Sequence, residues 1–226
     1  ICSGLVGSEM CIRDRQNTAG RNVQFIGIEE EAGKLYSDTP ISVSSSLFSK
    51  SRPRLAYRDI EDNADKAEIY IIWQESRLLG NIEIYGQLST LDGDLQWDDT
   101  GEEIITNLGD QINHVVMSDD DDGVYVMWED HRSSPAKIYI QRMRDNGRKR
   151  YRSTGIEIAG GSGNQRNPRM STNLDRGVYA LWEDDRNGSI DLYAQHIKRG
   201  GGLDWDVDGE EGVPVSTVKA DQTSAS

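Results

Sequence analysis

An all-β chain built from a repeated unit of about 54 residues is the fold class this sequence predicts, and three observations carry it. First, markers recur in register. Trp73, Trp128 and Trp182 lie 55 and 54 residues apart, and Tyr85, Tyr139 and Tyr193 keep 54 and 54. Gln87, Gln141 and Gln195 hold that spacing, as do Gly101, Gly155 and Gly209, and the aromatic set Trp97, Tyr151 and Trp205. Second, 23 glycines, nine tyrosines and five tryptophans against two phenylalanines mark a turn-rich β composition. Third, no window sustains a 3.6-residue apolar period, so helix is expected to be nearly absent.

The third unit reads most clearly as four strands. Residues 167–171 open a short strand after a polar loop, and 177–182 follow as a β-favouring run behind the turn residues 173–176. Residues 190–197 form a third strand beyond the Asp-Asp-Arg-Asn-Gly turn at 184–188. Gly200, Gly201 and Gly202 turn the chain again, and Val213-Pro214-Val215 reads as an edge strand that tolerates proline. The second unit repeats this order with 115–116, 124–128, 137–143 and 156–159. The first does so with 54–57, 68–73, 81–88 and 103–106, plus six extra residues within a surface loop at 59–66.

The second strand of each unit is apolar throughout rather than alternating, so both of its faces are expected to be covered. Four short antiparallel strands in such a unit describe a β-propeller blade packed between neighbours. A sandwich domain needs about 100 residues, and a solenoid repeats at roughly 20–30. The expected organisation is a β-propeller fragment of about three and a half blades. It comprises the second half of an incomplete blade at 16–50, blades at 51–106, 107–160 and 161–217, and the start of another at 218–226, where Gln222 stands in the place of Gln111 and Gln165. Phe25 stands in the place of Tyr85, and Thr39-Pro40-Ile41 near that of Val213-Pro214-Val215. Because propellers close with roughly four to eight blades, further blades are expected upstream, with downstream ones left open.

Residues 5–14 read LVGSEMCIRD and resemble the translation of a transposon-end sequencing adapter, so residues 1–15 are set aside as adapter-derived and the source as metagenomic. Cys2 and Cys11 lie in or beside that segment; without it the chain has no cysteine for disulfides or thiolate metal sites. The formal charge of −14 is unchanged by its removal. Such an acidic chain lacks the basic footprint that nucleic acids need, and no apolar run approaches the roughly 18 residues of a membrane span.

Trp128-Glu129-Asp130-His131-Arg132 with Tyr139 and Gln141, and Trp182-Glu183-Asp184-Asp185-Arg186 with Tyr193 and Gln195, resemble the repeats of large secreted bacterial β-propeller proteins. The first unit departs from that pattern, since Trp73-Gln74-Glu75-Ser76-Arg77 lacks the Asp. The resemblance spans residues 22–226 and implies an extracellular or cell-surface location. Residues 89–97 also carry the residue types of the Asp-box turn of sialidase-type propellers, with the glycine one position too far from Trp97.

Candidate residues fall into three groups. The motif residues Trp73, Arg77, Trp128, Glu129, Asp130, Arg132, Trp182, Glu183, Asp184 and Arg186 are expected to be structural, because a packing device is needed in every blade and a catalytic pair only once. Trp97 and Trp205, in Gly/Asp-rich turns, are the candidate ligand contacts. Asp119, Asp120, Asp121 and Asp122 are a candidate calcium site, although the EF-hand spacing is absent and a solvated turn is the competing reading. No catalytic residue is assigned, and His114, His131 and His196 are too scattered to suggest zinc. The expected function is a non-catalytic binding or scaffold module, with polysaccharide or a surface protein as partner beside the remaining blades of the same protein. The alternative is part of a sialidase-like or other glycoside-hydrolase propeller. An intracellular interaction platform is a third.

Overall fold

Short turns leave each strand only its sequence neighbours as reachable antiparallel partners, and the chain pairs accordingly. The computed structural model describes residues 2–5, 8–17, 20–29, 34–35, 41–58, 67–77, 80–173, 175–207 and 210–216, with side chains for 23–24, 41–58, 67–77, 80–173, 175–205 and 212–216. Its first sheet holds β1 (Cys2–Leu5), β2 (Ser8–Asn17), β3 (Gly20–Glu29), β4 (Lys34–Leu35) and β5 (Ile41–Ser42). The second is β6 (Lys50–Arg58), β7 (Glu68–Glu75), β8 (Glu83–Thr90) and β9 (Glu102–Ile105). The third is β10 (Gln111–Ser118), β11 (Gly123–Asp130), β12 (Lys137–Arg144) and β13 (Ile156–Glu157). In the last, β14 (Gln165–Thr172), β15 (Val178–Asp184) and β16 (Asp191–Ile197) are followed by a small hairpin of β17 (Asp206–Val207) and β18 (Glu210–Glu211). Then β19 (Val213–Ser216) closes the sheet by pairing with β16. No described residue is helical.

The three four-stranded sheets stack face to face with β6, β10 and β14 side by side at one edge, which makes them successive blades of a β-propeller. Each second strand divides its side chains between two interfaces. Val124, Val126 and Trp128 of β11 join Tyr70, Ile72, Ile84 and Leu88 of the blade before. Tyr125 and Met127, on the opposite face, join Val178, Ala180 and Trp182 of the blade after. Both faces of β7 and β11 are thereby covered, whereas β15 departs from that expectation: Tyr179 is 44% exposed and Leu181 half-buried on its far face.

Two further features were not read from the sequence. Each first strand contains a β-bulge, between Ser51 and Arg54, Ile112 and Val115, and Arg166 and Arg169. Its first residue takes a left-handed conformation, with φ 49 at Arg52, 52 at Asn113 and 53 at Asn167. Pro53 and Pro168 follow in the outer two blades, and His114 in the middle one. The second feature corrects the glycine register. A Cβ on Gly101, Gly155 or Gly212 would sit 2.6–2.7 Å from the indole tip of Trp73, Trp128 or Trp182. Gly212 is therefore the third member of the set; Gly209 lies outside the described residues, and the β17–β18 hairpin supplies the three-residue offset. The loop 59–66 and residues 218–226 with Gln222 also lie outside the described residues. Backbone register pairs Phe25 with Ile41 as it pairs Tyr85 with Glu103, but β3 also pairs with the β2 segment that the sequence reading set aside.

Gly155 has φ +76 and no room before Trp128, whereas Gly188 has φ +85 and open space around it. Gly155→Ala is expected to cost about 3 kcal/mol in urea denaturation and Gly188→Ala about 1 kcal/mol; equal costs would show that the indole contact is unimportant. His114 is buried, and neither ring nitrogen makes a well-formed hydrogen bond among the described residues. Burial and the charge of Arg54 outweigh the pull of the Ile72 backbone and hold the imidazole down at about 3. The unfolded ring gains a proton that the folded one refuses, so wild-type stability should fall as pH drops below about 6.5, by up to about 1.4 kcal/mol per unit. His114→Pro should add about 1 kcal/mol at pH 7 and a larger margin at pH 5; a loss at both values would contradict the bulge equivalence.

Candidate functional site

The motif at the end of each second strand builds one repeated constellation. In the middle blade, alternation along β11 sends Trp128 and Asp130 to one face and Glu129 to the other. The Asp130 carboxylate is fully buried and accepts the Trp128 indole N–H at 2.8 Å and the Arg132 backbone N–H at 3.0 Å. It also accepts the Arg132 guanidinium bidentately, Nε at 2.7 Å and Nη2 at 2.5 Å. Arg132 then donates to the Thr154 carbonyl at 3.0 Å and lies 4.0 Å above the Tyr139 ring, which is itself stacked on Trp128. Much of this set recurs around Asp184, which accepts Trp182 at 3.2 Å, the Arg186 backbone N–H at 2.9 Å and Arg186 Nη2 at 2.6 Å, with that guanidinium 4.1 Å over Tyr193.

In the first blade Glu75 takes the place of the missing Asp. It accepts Trp73 at 2.7 Å and Arg77 Nε at 3.1 Å, while Arg77 reaches the Thr100 carbonyl and lies 3.6 Å over Tyr85. Lys50 stands opposite Glu75 where Gln111 and Gln165 stand opposite Asp130 and Asp184. Burial lowers the Lys50 pKa, with the Glu75 charge opposing. Gln87, Gln141 and Gln195 are spent on a second device. Each amide donates to a carbonyl of the loop towards the fourth strand (Asp98, Arg152, Trp205) and accepts two backbone N–H groups.

The Glu of the motif faces the bulges. Glu129 accepts from Asn113 Nδ2 at 3.0 Å and from the Asn167 backbone N–H at 2.7 Å. Asn167 Nδ2 and Arg166 Nε donate to Glu183 at 3.0 and 3.2 Å. One residue, Asn167, thus bridges two buried carboxylates of neighbouring blades, a link invisible in the spacing because the left-handed bulge creates it. Glu83 is raised by burial, with the Tyr85 hydroxyl opposing at 3.3 Å. It faces Glu75 across the strand pair. Tyr139 is pushed up to about 12 by burial and by Glu157, which accepts its hydroxyl at 3.0 Å.

The structure separates Trp97 from Trp205. Trp97 is 7% exposed, packs on Tyr70 and donates to the Asp145 carbonyl of the next blade at 2.6 Å. Trp205 is half-buried and stacks on Tyr179 at 5.6 Å beside His196. The acidic run is met by guanidinium groups. Asp119 and Asp122 pair with Arg142, Asp121 and Asp122 with Arg199, Asp121 with Arg176 at 2.7 Å, and the Asp121 carbonyl with Arg58. Burial would raise Asp122, but Arg142 and Arg199 hold it below the ordinary carboxylate range. Among the described residues no side chain meets the Asp120 carboxylate, while its backbone N–H donates to Ser118. Among the described residues no three His, Cys, Asp or Glu side chains gather in metal-binding geometry.

No family model and no curated protein matches the sequence. Among solved structures the chain is similar to the endo-arabinase from Bacteroides thetaiotaomicron, at TM-score 0.48 and 11% identity over 98% of this chain and 75% of that one. It is also similar to the catalytic domain of the GH62 alpha-L-arabinofuranosidase from Coprinopsis cinerea, at TM-score 0.40 and 11% identity over 90% and 65%. A hypothetical protein from Leishmania major matches at TM-score 0.40 and 14% identity over 95% and 66%. The chain therefore spans about two thirds to three quarters of these proteins, and at such identities and TM-scores no activity or ligand follows.

Because Arg132 neutralises a fully buried carboxylate, Arg132→Ala should destabilise by about 3 kcal/mol. Arg132→Lys should recover less than half of that, having no planar fork. Urea denaturation read by tryptophan fluorescence checks both; a variant that melts like wild type but loses ligand binding would overturn the structural role.

Proposed function

We propose that this chain is a non-catalytic binding or scaffold part of a secreted or surface bacterial β-propeller protein, with polysaccharide as its partner. One observation carries the reading: the acids and arginines that recur in every blade are committed to intra-blade bonds. Glu75, Asp130 and Asp184 each hold an indole N–H and a guanidinium, so they are occupied as acceptors rather than poised as acids or bases. On this reading residues 1–15 are adapter-derived and take no part in binding.

The glycoside-hydrolase alternative has one observation in its favour, the Glu75–Glu83 pair in which burial raises the Glu83 carboxyl. Both side chains are buried and Glu75 is already bound by Trp73 and Arg77, so neither meets a sugar in solvent. The test is affinity electrophoresis through gels containing polysaccharides, with reducing ends assayed in parallel. Retardation without new reducing ends is expected. Release of reducing ends that Glu83→Gln abolishes would establish the hydrolase reading instead.

A further inference from the structure

What repeats in every blade serves the blade; what occurs once is free to serve something else. A cleft of about 670 Å³ opens between the fourth-strand side of the middle blade and the 201–203 loop of the next, within the size range of ligand sites. Its walls include Arg132, Tyr139, Arg152, Glu157, Ile156 and Leu203. At the counterpart between the first and middle blades the equivalent polar side chains are paired. There Lys149 pairs with Glu103 at 2.7 Å, Gly147 sits against the Glu102 side chain, and Asp98 binds Thr100.

At the cleft both polar pairings are gone, while Gly201 still sits against Ile156 as Gly147 does against Glu102. Leu203 stands where Lys149 stands, so Glu157 has no ion pair among the described residues and accepts only the Tyr139 hydroxyl. Arg152 stands where Asp98 stands, and its guanidinium is exposed and forms no hydrogen bond or ion pair among the described residues. Ile156 replaces Glu102 and packs with Leu203 in the apolar cluster between the blades. The cleft thus offers a free guanidinium, a half-buried carboxylate without an ion pair and an apolar wall, where its neighbour has Asp98 in place of the guanidinium and an ion-paired Glu103.

We propose that this cleft binds a neutral glycan, with Arg152 donating to and Glu157 accepting from adjacent hydroxyls of one sugar ring that rests on Ile156 and Leu203. Neutrality follows from charge. Glu157 repels a uronate carboxylate, and the chain as a whole carries −14. The Arg132 guanidinium is already neutralised by Asp130, so it does not reverse that balance. This assignment rests on the polysaccharide-binding reading above and adds to it the place and the ligand class.

The test uses the full chain in affinity electrophoresis against xylan, galactomannan, β-glucan and dextran, with polygalacturonate as the anionic probe. Wild type should be retarded by at least one neutral polysaccharide. Arg152→Ala and Glu157→Gln should each weaken that retardation about tenfold with Tm unchanged, because Arg152 is exposed and glutamine keeps an acceptor for the Tyr139 hydroxyl, while Glu103→Gln at the counterpart changes nothing. Equal retardation of all variants would overturn the cleft and leave the binding reading standing. Retardation by polygalacturonate alone would overturn the ligand class. No retardation of wild type by any probe would remove the binding reading and the cleft with it.

Discussion

A single buried carboxylate per blade governs the repeat. Taking a carboxylate out of water costs several kcal/mol unless its oxygens are met in full, and the chain meets them the same way three times. The indole N–H comes from the core, the guanidinium from the turn two residues on, and the backbone N–H of that turn joins in the two Asp blades. Other markers follow from this centre. The arginine needs the tyrosine ring beneath it and the loop carbonyl beyond it, and the tryptophan, fixed by its N–H, leaves room only for glycine at its tip. In the first blade a longer Glu keeps both partners, with Lys50 opposite in place of glutamine, so position and bonding persist where residue identity does not.

Blades then adhere through two kinds of contact. The apolar faces of the second strands supply most of the buried area, Trp128 packing backwards and Tyr125 forwards. Polar tips supply the register. Trp97 donates to the Asp145 carbonyl and Tyr151 to the Arg199 carbonyl, each reaching a residue 48 positions on in the following blade. Beside these tips, the Asp119–Asp122 turn of the middle blade receives Arg58 from one neighbour and Arg199 from the other, and its Asp122 carbonyl accepts the Asp145 backbone N–H at 2.7 Å. An acidic run thereby becomes a hub between blades, and the excess negative charge is locally neutralised there.

The blade pattern was legible because strand composition and marker spacing depend on local chemistry that each unit repeats. The four strands, the continuous burial of β7 and β11, and the edge position of Pro214 all follow from residues within one unit. Features that involve two units were not legible. The bulge at Asn167 becomes meaningful only when Glu129 of the preceding blade meets its backbone. Gly212 escaped because the β17–β18 hairpin shifts it three residues out of register. The guanidinium partners of Asp121 lie 63 residues before it and 55 and 78 after it, and the cleft at Glu157 exists through substitutions that matter only in comparison with the adjoining interface. Spacing reports what each blade does for itself, and contacts across blades report what the assembly can do.

A double-mutant cycle between Asp130 and Arg132, using Asp130→Asn and Arg132→Met in urea denaturation, tests the governing role of the buried carboxylate most directly. The account predicts strong non-additivity, with a coupling of about 2 kcal/mol or more and a double variant less damaged than the sum of the singles. Additive losses, or a coupling near that of an exposed ion pair at about 0.5 kcal/mol, would contradict it and leave the recurring motif without a structural reason.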